Sequence, residues 1–382
     1  MSTLKVDAIV DKDSGNTTTI NGTTIGPNLS INSHNTQGKN LIINGAMNVA
    51  QRGTSFTTTS AYTLDRWTFQ TDLLDQYAHT VTQSTDTPGG FASSLKIEVT
   101  TSETSVESTE DLAVTQRIEA QNLQHLQAGT SSAKSLTLSF YVKSSVTGVY
   151  AVHLQAIDDS KIFPTTYTIN SANTWEYKTI TIPPCTIATI DNDNGTGLNL
   201  TFITLTGSAY TGGSTGSWQS YASNLFAAGM TANVSSDGDT WLITGVQLEL
   251  GDAATEFEHE SYGQTLSKCQ RYYYRIGPEA AYTRFGIASN LTTTAAEVYN
   301  YLPVSMRSNP SVETTGTLSN YALYDSDDVL TATSIAIEGG NNDGNQLVIL
   351  DVGVSSGLTD GGSSQLMASN NSSVFLAFSS EL

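Results

Sequence analysis

Ile243–Tyr274 reads ITGVQLELGDAATEFEHESYGQTLSKCQRYYY. Thr244, Val246, Leu248 and Leu250 alternate with Gly245, Gln247 and Glu249, the period of a half-buried strand. Gly251-Asp252 supplies the turn that ends it. From Tyr262 to Tyr274 the period lengthens. Leu266, Cys269, Tyr272 and Tyr273 fall near one face of a short helix. A strand, a turn and a brief helix in one stretch describe a β protein with a helical junction.

The same strand pattern recurs on both sides. Ser94–Val99, Ser135–Lys143, Val149–Ala156, Trp175–Ile182, Leu198–Leu205 and Trp241–Leu250 read as strands separated by Gly, Asn, Asp and Ser turns. Ser135–Lys143 and Val149–Ala156 read as a central strand pair. Beyond the junction, Arg284–Ala288, Glu297–Val304, Gln346–Val352 and Val374–Phe378 resume the pattern, and Asn122–Gln127 is a second short helical candidate. No strand-helix-strand alternation is present, so a parallel α/β sheet is not expected. The predicted fold class is all-β: an N-terminal oligomeric β segment (1–36), a jelly-roll-like sandwich (37–262) and a smaller C-terminal sandwich (263–382) that begins with the helical junction. Residues 1–36 alternate like strands but hold almost no aromatic residues. Two short strands in isolation are marginal, so this segment calls for a partner chain. Asn28–Lys39 reads as a linker.

Only 14% of the 382 residues are charged, against roughly 25% in ordinary domains, and Ser, Thr, Asn and 31 Gly take their place. This suits exposed β surface with many turns. Seventeen Tyr, 11 Phe and 4 Trp supply packing area that a disordered chain lacks. A net charge of −20 without clustered Lys and Arg argues against nucleic-acid and anionic-membrane partners. Neither a secretory leader nor an apolar run of membrane-spanning length is read, and no membrane insertion is expected. Cys185 and Cys269 read as free thiols, with no second Cys or His at zinc-like spacing.

Three groups of residues resemble tailed-bacteriophage tail fibre and receptor-binding proteins, in the same order along the chain. They are NLIINGAMNVAQR (Asn40–Arg52) with YTLDRW (Tyr62–Trp67), GVQLELGDAATEFE with CQRYYYR, and LPVSMRSNPSV (Leu302–Val312) with the closing Ser380-Glu381-Leu382. The resemblance implies a virion protein assembled in the host cytoplasm. It implies a homotrimeric fibre attached by residues 1–36 to tail, adaptor or baseplate proteins, with a C-terminal domain that meets host-surface glycan. The alternatives are a glycan-cleaving tailspike and a purely structural head fibre or tail adaptor.

No enzyme, cofactor or metal is expected. His34, His79, His125, His153 and His259 are scattered singly. Glu249, Glu256, Glu258 and Glu260, and Asp325, Asp327 and Asp328, crowd together, but both groups read as solvated surface rather than as a glycosidase pair. Asp191–Gly195 places Gly one position too early for a calcium loop and reads as an Asx turn. Aromatic rings among polar residues suit sugar CH faces and hydroxyls. On that ground Tyr282, Arg284, Tyr299, Tyr301, Tyr321 and Tyr324 are candidate receptor-binding residues, with core or inter-subunit packing as the plainer alternative for each.

Overall fold

A computed structural model describes residues 18–20, 23–25, 38–58, 60–72, 77–277, 280–338 and 346–382. The chain divides into two units, Met1–Lys39 and Asn40–Leu382. In the first, β1 (Thr18–Ile20) and β2 (Thr23–Ile25) form an antiparallel hairpin with Thr18 opposite Ile25. The rest of the expected N-terminal β segment and most of the linker lie outside the described residues.

The second unit is nearly all β, as expected. Its larger part is a sandwich of two antiparallel sheets. One sheet runs, in spatial order, β14 (Gln219–Ser220), β11 (Lys161–Ile169), β10 (Gly148–Ala156), β13 (Thr196–Thr206), β8 (Asp111–Glu119), β5 (Thr68–Asp72) and β4 (Ser60–Tyr62). The other runs β12 (Glu176–Ile182), β9 (Leu136–Ser144), β15 (Thr240–Leu250), β7 (Ser94–Thr101), β6 (Ala78–Ser84) and β3 (Ser55–Phe56). The two segments read as a strand pair, β9 and β10, therefore lie in opposite sheets. Alternation sets the core: Leu136, Leu138, Phe140 and Val142 of β9 point inward. Phe140 meets Phe202 from the other sheet at 5.0 Å, and Phe202 meets Trp67 and Trp241 at 6.5 and 6.2 Å. Each such ring contributes roughly 2–3 kcal/mol by burial. Pro164 sits inside β11, whose outer neighbour β14 pairs only at Lys161 and Ile162, so the missing N–H breaks no ladder.

β15 departs from the expected half-buried strand, because residues from Trp241 to Glu249 are buried on both faces. Beyond Ile243 its β7 partner ends, and the segment at 40–45 takes over. Leu41 N donates to Leu248 O, Val246 N to Gly45 O, and the Asn40 side chain bonds Val246 and Leu248. Glu249, read as solvated, is 3% exposed. It accepts Thr255 N at 2.8 Å and the Thr255 hydroxyl at 2.7 Å, because the chain turns at Gly251 and folds back over the strand.

The C-terminal strands, expected as a smaller sandwich, close into a barrel. Its order is β17 (Arg284–Asn290), β18 (Ala295–Tyr301), β22 (Leu347–Val354), β21 (Asp328–Ile337), β20 (Tyr321–Asp325) and β23 (Ser363–Ala368), which returns to β17. Closure removes the open edges that a small sandwich of short strands exposes. Asp325 is buried, not solvated, and accepts Thr359 N and the Asn290 amide. A three-stranded sheet, β16 (Tyr273–Ile276), β24 (Leu376–Ser379) and β19 (Ser311–Thr314), adjoins the barrel.

The junction helix α1 (Tyr262–Gln270) starts at a capping box made by Ser261 and Gln264. It stops before the expected Tyr274, because Tyr273 and Tyr274 pair with β24 instead. The other helical candidate is a 3-10 helix, Ala120–Leu126. The junction holds one buried polar cluster. Arg66 lies over the Tyr272 ring at 3.6 Å and Arg52 over Tyr273 at 3.4 Å. Both pair with Glu381. Arg271 and the Tyr272 hydroxyl reach Glu119. Arg307 donates to the backbone oxygens of Ser380 and Glu381. All the motif segments except the β15 turn therefore contribute to this joint between sandwich and barrel. Both cysteines are free; Cys269 is buried and Cys185 half-buried. Among the described residues no helix is long and apolar enough to cross a membrane.

Candidate functional site

The outer face of the six-stranded sheet carries a groove of about 470 Å³, within the range of roughly 300–1,000 Å³ common to ligand sites. Four parts of the chain build it. β9 and β12 pair Tyr141 with Tyr177 across the strands, on the face opposite the core. The Pro88-Gly89-Gly90 turn before β7 delivers Phe91. The segment folded back from β15 brings Phe257 and His259. Gly245 forms the floor at a bulge, where the β15–β9 register shifts between Thr244 and Gln247. Its φ is +63°, and a Cβ there would stand 2.6 Å from the Phe91 ring. Only glycine leaves Phe91 its place.

The rings form a continuous track. Tyr177 and Tyr141 have centroids 4.8 Å apart, Tyr141 and Phe91 5.5 Å, and Phe91 and His259 5.2 Å. Phe257 buttresses it at 5.1 Å from Phe91. The walls are polar: Thr255 and Glu256 line the groove with them. The folded-back segment is held from below by Gln247, whose carbonyl oxygen accepts Glu258 N and whose amide donates to Glu249 and to Glu256 O. The GVQLELG-x-x-AT-x-FE stretch thus works as a scaffold for this wall. At one rim Asp86 joins Lys143 at 2.6 Å and the Trp175 indole at 3.0 Å; the lysine's hydrogen bond holds the Asp86 carboxyl below its usual range.

The predicted site residues lie elsewhere, on the barrel, in two surface groups and one core position. Arg284 stacks over Tyr324 at 5.2 Å, donates to Gln365 and bonds the backbone of Tyr282, whose side chain is 48% exposed. Tyr299 and Tyr301, two residues apart on β18, are 36% and 78% exposed. Tyr321 is fully buried. It packs against Phe285, and its hydroxyl donates to Phe375 O, so it is a core residue and no sugar can reach it. Residues 191–195 form the expected Asx turn, with Gly195 N donating to Asp193. His153 is a core histidine bonded to Phe226 O, and burial pushes its pKa down to about 4. Among the described residues no three His, Cys, Asp or Glu side chains converge as a metal site.

No protein-family profile and no curated protein matches the chain. Among solved structures, one similar chain is the enzymatically active domain of tailspike protein 4 of bacteriophage CBA120, at 14% identity and a TM-score of 0.30. The match covers 56% of this chain but only 22% of that one. Another is the family 11 carbohydrate-binding module of the cellulosomal cellulase Lic26A-Cel5E of Clostridium thermocellum, at 12% identity and a TM-score of 0.27, covering 53% of this chain and 96% of the module. The tandem CBM22 domains of Paenibacillus barcinonensis Xyn10C align over 85% of this chain and 95% of theirs, at 10% identity and a TM-score of 0.24. These likenesses are too distant to carry an argument about function.

Proposed function

We propose that the chain is a non-enzymatic glycan-recognition protein of a tailed-bacteriophage virion, a trimeric fibre attached by residues 1–36, and that the aromatic groove of the sandwich is its carbohydrate site. The motif resemblance supports the fibre. The ring track supports the binding site: Tyr177, Tyr141, Phe91 and His259 follow one another at 4.8–5.5 Å beside hydroxyl and carboxylate groups. Ring faces cover the CH surfaces of sugars while the polar walls meet their hydroxyls. Glycoside hydrolysis uses two carboxyl groups across the scissile bond. Glu256 is the one carboxylate among the described lining residues, which favours binding over cleavage.

The test is an immobilised glycan array probed with the full-length chain. Tyr141→Ala and Tyr177→Ala are each expected to weaken binding roughly 10-fold, since each removes one stacking ring. Tyr301→Ala on the barrel leaves it unchanged. The opposite pattern moves the receptor site to the C-terminal barrel.

A further inference from the structure

Resting on the glycan reading, we infer that the groove selects an uncharged, turning oligosaccharide of at least three residues. Length follows from the ring spacing. The three steps from Tyr177 to His259 are 4.8, 5.5 and 5.2 Å, each close to the advance of one pyranose along a glycan chain. A monosaccharide covers one ring and leaves the others in water.

Shape follows from the tilts. Successive rings are inclined by 44°, 58° and 40°. A flat ribbon lies on one such face at a time, whereas a chain that turns at each linkage can follow them all. Flat crystalline polysaccharide is therefore excluded.

Charge follows from the lining. No Lys or Arg is among the described residues that line the groove, and Glu256 is. The ammonium group two residues along β9 from Tyr141 is committed, Lys143 to Asp86 at 2.6 Å. A uronate or sialate in the groove loses water and gains no cation. The net charge of −20 adds repulsion at low salt.

The experiment uses the full-length chain on an array of neutral and acidic glycans of one to six residues, with Tyr141→Ala as the control for the groove. Binding of neutral glycans is expected to rise roughly 3- to 10-fold per added residue through three, and to level once the four rings are covered. Glu256→Lys is expected to admit uronate-containing glycans that the native chain rejects at least 10-fold. Strongest binding to acidic glycans, equal binding of mono- and trisaccharides, or pelleting with crystalline cellulose overturns the inference. When those signals still fall in Tyr141→Ala, the glycan reading survives. An array with no binder, or with binders indifferent to Tyr141→Ala, overturns both.

Discussion

Glu381→Ala is expected to lower stability by about 3–5 kcal/mol, the usual loss when one partner of a buried ion pair is removed. Glu381 is the carboxylate shared by Arg52 and Arg66, and the side chains of Arg66 and Glu381 are 1% and 7% exposed. Without it, Arg66 keeps the Tyr272 ring and its bond to Arg117 O, but no counter-charge in direct contact. The strap of Ser380 to Leu382 also loses one of its anchors, keeping those from Arg307 and Tyr62. Denaturant unfolding of the full-length chain measures the loss. The double variant Arg66→Met with Glu381→Ala is expected to be less destabilised than Glu381→Ala alone, because it removes the more deeply buried of the two arginines that lose their carboxylate. A loss below about 1 kcal/mol, the level of an exposed pair, contradicts this account of the joint.

The second large effect is a pH dependence at Asp111. Burial, with Asp72 paired opposite it on β5, pushes the Asp111 carboxyl from 3.8 up to about 7. Its Oδ1 atom is buried without a hydrogen-bond partner. Between those values the folded chain holds a proton that the unfolded chain has released. The stabilisation is fully present below about 4, declines as pH rises and is gone once pH passes about 7. A shift of this size is worth on the order of 4 kcal/mol. His153, lowered by burial to about 4, works in the opposite direction over part of the same window. The contribution is therefore read as a difference between chains. Asp111→Asn is neutral at every pH and can donate to Asp72. Relative to the native chain it is expected to gain stability as pH rises from 4 to 8 in urea unfolding. A pH-independent difference contradicts the assignment.

Strand positions were legible because one face of each strand is apolar. Ser135–Lys143 anticipates β9 within a residue at either end, and Trp241–Leu250 anticipates β15 equally well. Pairing was less legible, because a period of two says which face is buried and nothing about the neighbour. That is why β9 and β10 were read as partners and why the barrel's closure was not foreseen. β8 escaped detection because Leu112, Ala113, Val114 and Ile118 do not alternate with the polar residues of Asp111–Glu119, and the strand is buried almost throughout. Glu249 was misread for a related reason: alternation pointed it outward, and the segment that covers it returns only after the Gly251 turn.

The groove was the larger omission. Its rings come from Phe91, Tyr141, Tyr177 and the 257–259 segment, far apart in sequence and with no shared local pattern. The available signal was Gly245. A glycine inside so apolar a strand marks a bulge or a close approach, and here it marks both. The barrel tyrosines drew notice as a dense local run, yet density does not distinguish Tyr321 in the core from Tyr301 in solvent.

The most direct test of the central claim is a crystal structure of the full-length chain bound to the neutral trisaccharide or tetrasaccharide that binds best on the array. Sugar rings are expected over Tyr177, Tyr141 and Phe91, one residue per ring, with hydroxyls toward Thr255 and Glu256. Sugar found instead on the barrel beside Tyr299 and Tyr301, with the groove vacant, would contradict it.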